Sequence, residues 1–128
     1  MRIKLSLAGV LLSLSVLAVT HNVTTSGTAF SPANITINQG DTVVWTNGGG
    51  SHNVNGTQAT FPSNPASFGN SVGTGWTYQF VFTTAGTYNY QCDPHAGLGM
   101  VGTVTVNAVV PVAPVAQSFE TTGGTWSF

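Results

Sequence analysis

Short runs of β-branched and aromatic residues follow one another from Val23 onward, and no stretch sustains a helical period. Val23-Thr24-Thr25, Asn34-Ile35-Thr36-Ile37, Thr42-Val43-Val44-Trp45-Thr46, Trp76 to Thr83, Thr87 to Cys92 and Val101 to Val106 have the composition of strands. His52-Asn53-Val54 is a candidate start of another. Trp76, Tyr78, Phe80 and Phe82 alternate with other residues, which places four rings on one strand face and predicts that this face is core. Gln39-Gly40-Asp41, Asn47-Gly48-Gly49-Gly50 and Thr84-Ala85-Gly86 mark turns between the runs. Many short strands at such spacing predict an all-β fold, a Greek-key β-sandwich of about seven to eight strands.

Two segments break the pattern. Asn55 to Gly75 is dominated by Gly, Ser, Thr, Asn and Pro, and is expected to wrap the surface with Phe61 and Phe68 as anchors. After Asn107, residues 108–128 open with repeated Pro, Val and Ala, which favours extended chain, and end in a segment containing Phe119, Trp126 and Phe128. This aromatic tail is expected either to pack on its own domain or to attach the chain to a partner or surface.

The first 20 residues have the make-up of a secretory signal: basic Arg2 and Lys4, an apolar run from about Leu5 to Ala18, then small residues. The run is shorter than the roughly 20 residues needed to cross a bilayer, which favours cleavage, between Ala18 and His21, over a retained anchor. The expected organisation is a signal at 1–20, one domain at 21–107, and a linker and tail at 108–128. Arg2 and Lys4 are the sequence's two cations, so their removal changes the formal charge from −1 to −3, carried by Asp41, Asp93 and Glu120. A domain without Lys or Arg offers no footprint for phosphate, so neither nucleic acid nor insertion of the mature domain into a membrane is expected. The predicted location is outside the cytoplasm, in a periplasm, the extracellular space or at the cell surface.

The chemistry is concentrated in Cys92-Asp93-Pro94-His95-Ala96-Gly97-Leu98-Gly99-Met100, where a thiolate, an imidazole and a thioether lie close together. Thiolate and thioether suit Cu(I), and imidazole suits both oxidation states, so the set points to copper. His52, about forty residues upstream, can supply a second imidazole. The lone Cys also gains a reason to persist unpaired in an oxidising compartment.

The order of His52, Cys92, His95 and Met100, with the spacing Cys-x2-His-x4-Met, resembles the blue-copper cupredoxins of the plastocyanin/azurin family. The loop spacing is that of plastocyanin. The resemblance extends from about Val23 to Asn107 and implies the same sandwich. It implies one type 1 copper per chain, held by His52, Cys92 and His95 with Met100 as weak axial ligand. The implied function is single-electron transfer between a protein donor and a protein acceptor, without catalysis. It also implies that the Asn53 backbone N–H donates to the Cys92 sulfur. Gln91 departs from the family pattern, which usually has Tyr there, and plant-type acidic patches have no counterpart.

Three other readings compete. Tyr90-Gln91-Cys92 fits the Tyr-x-Cys spacing of an immunoglobulin-type tyrosine corner, but that fold usually has a second Cys for its disulfide. A copper enzyme needs further imidazoles, and only His21 is left once His52 and His95 are used. A copper carrier would use the same ligands as an electron carrier and is separated from it only by its exchange kinetics or redox partners.

Overall fold

The computed structural model describes residues 17–110, and within it the chain forms two facing sheets. In chain order the strands are β1 (Thr20–Ser26), β2 (Ala29–Ser31), β3 (Asn34–Asn38), β4 (Thr42–Thr46), β5 (Thr77–Val81), β6 (Gly86–Gln91) and β7 (Val101–Asn107), with a 3-10 helix at Asp93–Leu98. One sheet has the order β2-β1-β4-β5 and the other β3-β7-β6. The β1/β4 and β3/β7 pairs are parallel, and the remaining neighbours are antiparallel. The sandwich therefore has seven strands, within the expected seven to eight, but β2 takes the place of the candidate at His52-Asn53-Val54, where only an isolated bridge between His52 and Gly73 forms. The expected signal segment, apart from its last residues, and most of the expected tail lie outside the described residues.

Alternation along the strands turns one set of side chains inward. Val23, Val43 and Trp45 from one sheet meet Ile37, Tyr88, Tyr90, Val104 and Val106 from the other. The β5 rings behave differently from the expectation of a uniformly buried face. Phe82 is fully buried, whereas Trp76, Tyr78 and Phe80 are partly open. Their strand lies at the edge of its sheet, so no further strand covers their outer flank.

Between β4 and β5 the long loop delivers Phe68 to the centre of the core. Its ring lies 5.2 Å from Phe82, 5.4 Å from Phe80, 5.7 Å from Trp45 and 6.0 Å from Tyr88, measured between centroids. Phe61 is only half-buried, so Phe68 is the principal anchor. Gly56 faces this ring so closely that a Cβ there would collide with it. Buried Asn64 fixes the same loop: its Nδ2 donates to the carbonyls of Gly56 and Asn89, and its Oδ1 accepts the Asn89 N–H.

The two tyrosines of β6 divide their work. The Tyr88 hydroxyl donates to the Thr84 carbonyl four residues upstream, at 2.6 Å, while the Tyr90 hydroxyl donates to the carbonyl of Ala33, just before β3, at 3.1 Å. The Tyr-x-Cys spacing at Tyr90 is therefore not a tyrosine corner, and Tyr88 makes the local bond instead. Burial pushes the Tyr90 hydroxyl up to about 12, so it stays a donor.

The two ends of the sandwich differ. Val19 and Val109 both lie against the turn Gln39–Asp41, through Val19 N–H to Asp41 and Val109 N–H to Gln39. The last residue of β6, the first of β7 and the loop after β4 meet at the other end, where Cys92, His95, Met100 and His52 lie.

Candidate metal centre

His52 enters from the loop after β4, and several groups fix its backbone. Its N–H and carbonyl pair with Gly73, at 3.0 Å each, and the Trp76 indole N–H donates to its carbonyl at 2.8 Å. Asn47 secures the turn before it, donating to Gly50 O at 2.9 Å and Gly73 O at 3.1 Å. Gly50 sits behind the imidazole at φ 86°, where a Cβ would lie 2.9 Å from Nε2. A side chain at this position would meet both backbone strain and the ring.

Cys92 follows the last residue of β6 and caps the 3-10 helix in extended backbone, with Pro94 in the first turn, where its missing N–H leaves no donor unpaired. The helix brings His95 back towards the thiol, with its N–H donating to the Cys92 carbonyl at 3.1 Å. Gly99 then turns the chain into β7. The Cys92 N–H donates to the Met100 carbonyl at 3.0 Å, and the Met100 N–H to the His95 carbonyl at 3.2 Å. Three of the four sequence-predicted ligands are thus tied together by backbone bonds within one loop.

The donor atoms converge. Cys92 Sγ lies 3.6 Å from His52 Nδ1 and 3.5 Å from His95 Nδ1, and the three donors all fall within 4.8 Å of one another. A metal about 2.0–2.1 Å from an imidazole nitrogen and 2.3 Å from a thiolate sulfur would hold those two atoms roughly 3.5–3.8 Å apart at tetrahedral to trigonal angles. The observed separations match, so these residues fit one metal ion. His52, Cys92 and Met100 are buried, whereas His95 is half-open to solvent. A thiolate, two imidazoles and a buried thioether are a set that suits copper.

Four amide and carboxylate side chains brace the loop from the side, and sequence reasoning did not foresee them. The Asp93 carboxylate accepts from Asn53, Asn55 and Gln91 at 2.8–2.9 Å. Hydrogen bonds from Gln91 and Asn55 hold its carboxyl below the ordinary value, with burial opposing them and Asn53 adding to them. Gln91, which departs from the resembled pattern, is thus part of this brace. The sign available in the sequence was the density of Asn near His52, but nothing in one dimension pairs Asn53 with Asp93.

The family model for copper binding proteins, plastocyanin/azurin family, matches residues 17–107. The chain belongs to this family. It is 41% identical over 83 residues to plastocyanin of Scenedesmus fuscus, covering 60% of this chain and 85% of that one. Plastocyanin A/B of Petroselinum crispum is 38% identical over 90 residues, covering 63% and 90%. Among solved structures, an oxidized amicyanin mutant superposes with a TM-score of 0.57 at 29% identity, covering 67% of this chain and 80% of that one. Pseudoazurin of Methylobacterium extorquens, with a TM-score of 0.57 at 23% identity and coverage of 69% and 75%, supports the fold alone. As a cupredoxin, the chain is a copper-binding electron carrier and not an enzyme.

Proposed function

We propose that His52 Nδ1, Cys92 Sγ and His95 Nδ1 hold the copper, that Met100 is its weak axial ligand, and that the exported protein carries electrons between two protein partners. The observation that carries this reading is that Cys92 Sγ lies 3.6 Å and 3.5 Å from the two imidazole nitrogens, the separations that one ion bonded to the sulfur and to each nitrogen would give. Copper bound there would supply a one-electron Cu(II)/Cu(I) couple. The chain's part is to hold one geometry through both oxidation states. Backbone bonds between Cys92, His95 and Met100 fix the loop, and Gly73, Trp76 and Asn47 fix His52.

His95 is the ligand nearest solvent, and Leu98 beside it is 70% exposed. A partner would approach at this surface, which carries few charges. The leader pattern of residues 1–20 supports export to a periplasm, the extracellular space or the cell surface, and the aromatic tail within 108–128 is a candidate attachment segment. Cys92→Ser tests the ligand assignment, because the intense visible band of a blue-copper site originates on the thiolate. Copper-loaded Cys92→Ser should be colourless, and a full blue band in that variant would remove Cys92 from the site.

A further inference from the structure

At the end of the sandwich remote from the candidate metal centre, one buried carboxylate has, among the described residues, only an imidazole, His21, beside it as a counter-charge. Asp41 is only 3% exposed. Its Oδ1 accepts the Val19 N–H at 2.9 Å, and its Oδ2 accepts the Asn38 N–H at 3.0 Å and faces His21 Nε2 at 2.9 Å. Burial pushes this carboxyl up, yet the bonds from Val19, Asn38 and His21 together hold it below its ordinary value. Burying a carboxylate is costly unless it is paired as well as hydrogen-bonded. The sequence's only Lys and Arg are Lys4 and Arg2, within the expected leader, so the domain has no basic side chain except histidine to offer.

Val19 is where the chain joins the sandwich. Leu17, Ala18 and Val19 are exposed and lie outside any strand, β1 begins at Thr20, and the compact body starts at Ala18. The Val19 carbonyl accepts the Thr42 N–H at 3.0 Å. A cut after Val19 or Thr20 would therefore take away the groups that contact Asp41 and Thr42. In Val16-Leu17-Ala18, a small residue and a short one occupy the first and third positions before the Ala18–Val19 bond, the pattern a leader peptidase reads.

We propose that export processing hydrolyses the Ala18–Val19 bond and that the α-ammonium it creates on Val19 becomes the counter-ion of Asp41. Water adds across the amide: its hydroxyl goes to the Ala18 carbonyl carbon, which leaves as the leader's carboxylate, and its hydrogen goes to the Val19 nitrogen, which takes up a further proton at neutral pH. The neutral N–H donor seen at 2.9 Å becomes a charged one at the same place, and charge-assisted hydrogen bonds are roughly twice as strong. Maturation thus gives Asp41 a full counter-charge at the edge of the fold. It also leaves the α-amine as the only primary amine in the mature chain, since Lys4 departs with the leader.

The proposal rests on the export reading but not on copper. Full-length protein is expressed in an exporting host, and the exported form is examined by intact mass and N-terminal sequencing. The expected start is Val19-Thr20-His21. An amine-reactive ester should then modify one site per chain, at Val19, about tenfold more slowly at neutral pH than in Asp41→Asn, because pairing with a carboxylate raises an amine's pKa by about one unit. Should Asp41→Asn fail to fold, titration of the wild-type amine by NMR replaces the comparison, with a midpoint expected above the usual range of about 7.7–8.0. An uncut chain would overturn both the export reading and the ion pair. A mature chain starting at another residue, an unchanged labelling rate in Asp41→Asn, or a midpoint in the usual range would overturn this proposal alone.

Discussion

Asn53 and Asp93 grip each other twice. Asn53 Oδ1 accepts the Asp93 backbone N–H at 2.8 Å, and Asn53 Nδ2 donates to the Asp93 carboxylate at 2.9 Å. Each is the next residue after a proposed ligand, so the pair couples His52 to Cys92 through side chains rather than through the metal. Asn53→Ala leaves the Asp93 N–H without this partner. A loss of about 1–3 kcal/mol is expected from urea unfolding of the metal-free protein. Copper should also pass to a chelator faster than from wild type, and unchanged values for both would show that the clamp has no energetic role.

The axial position sets the balance between oxidation states. Met100→Gln replaces a soft thioether with a harder oxygen that favours Cu(II), so voltammetry should show a lower reduction potential than wild type. An unchanged or raised potential would contradict Met100 as axial ligand.

Exposed Leu98 tests docking. With a formal charge of −3 and no Lys or Arg after leader removal, the protein has little field to steer a partner, and salt at physiological strength screens beyond about 8 Å. Stopped-flow transfer rates to a physiological partner should change by less than about threefold between low and physiological ionic strength. Leu98→Glu should slow transfer by roughly tenfold, the equivalent of about 1.4 kcal/mol at the encounter. Steep salt dependence with an indifferent Leu98→Glu would rule out this surface.

Acid stability should follow Asp41. Because its folded pKa is depressed, its contribution is complete above the unfolded value, near 3.9, and disappears as pH falls through the lower folded value. Urea midpoints measured from neutral pH downward should therefore fall below about pH 4 in wild type. The fall should be shallower in Asp41→Asn, which starts from lower stability and has less to lose.

The donor residues were legible in the sequence because Cys and His are scarce in this chain and three of the four expected ligands lie in one short loop. Most strands were legible because alternation is a local signal. β2 escaped because a run of three residues, Ala29–Ser31, is too short to show a period, although Phe30 points into the core. The strand expected over Trp76 to Thr83 is trimmed to Thr77–Val81, where pairing with β4 ends. Phe61 and Phe68 look alike in a polar loop, and only the assembled sandwich makes Phe68 central. Asn64 likewise reads as an ordinary loop residue until Asn89, 25 positions away, is folded against it. These relationships belong to tertiary structure, and composition carries no trace of them.

The entry of β1 and the exit of β7 share the turn at Gln39–Asp41, while the donor atoms gather at the opposite end. A strand of seven residues such as β7 extends about 23 Å, so roughly that distance separates the two regions. Val19 and Val109, where the described chain enters and leaves the sandwich, are both remote from the surface around His95, so an attachment made at either point would not by itself cover that surface.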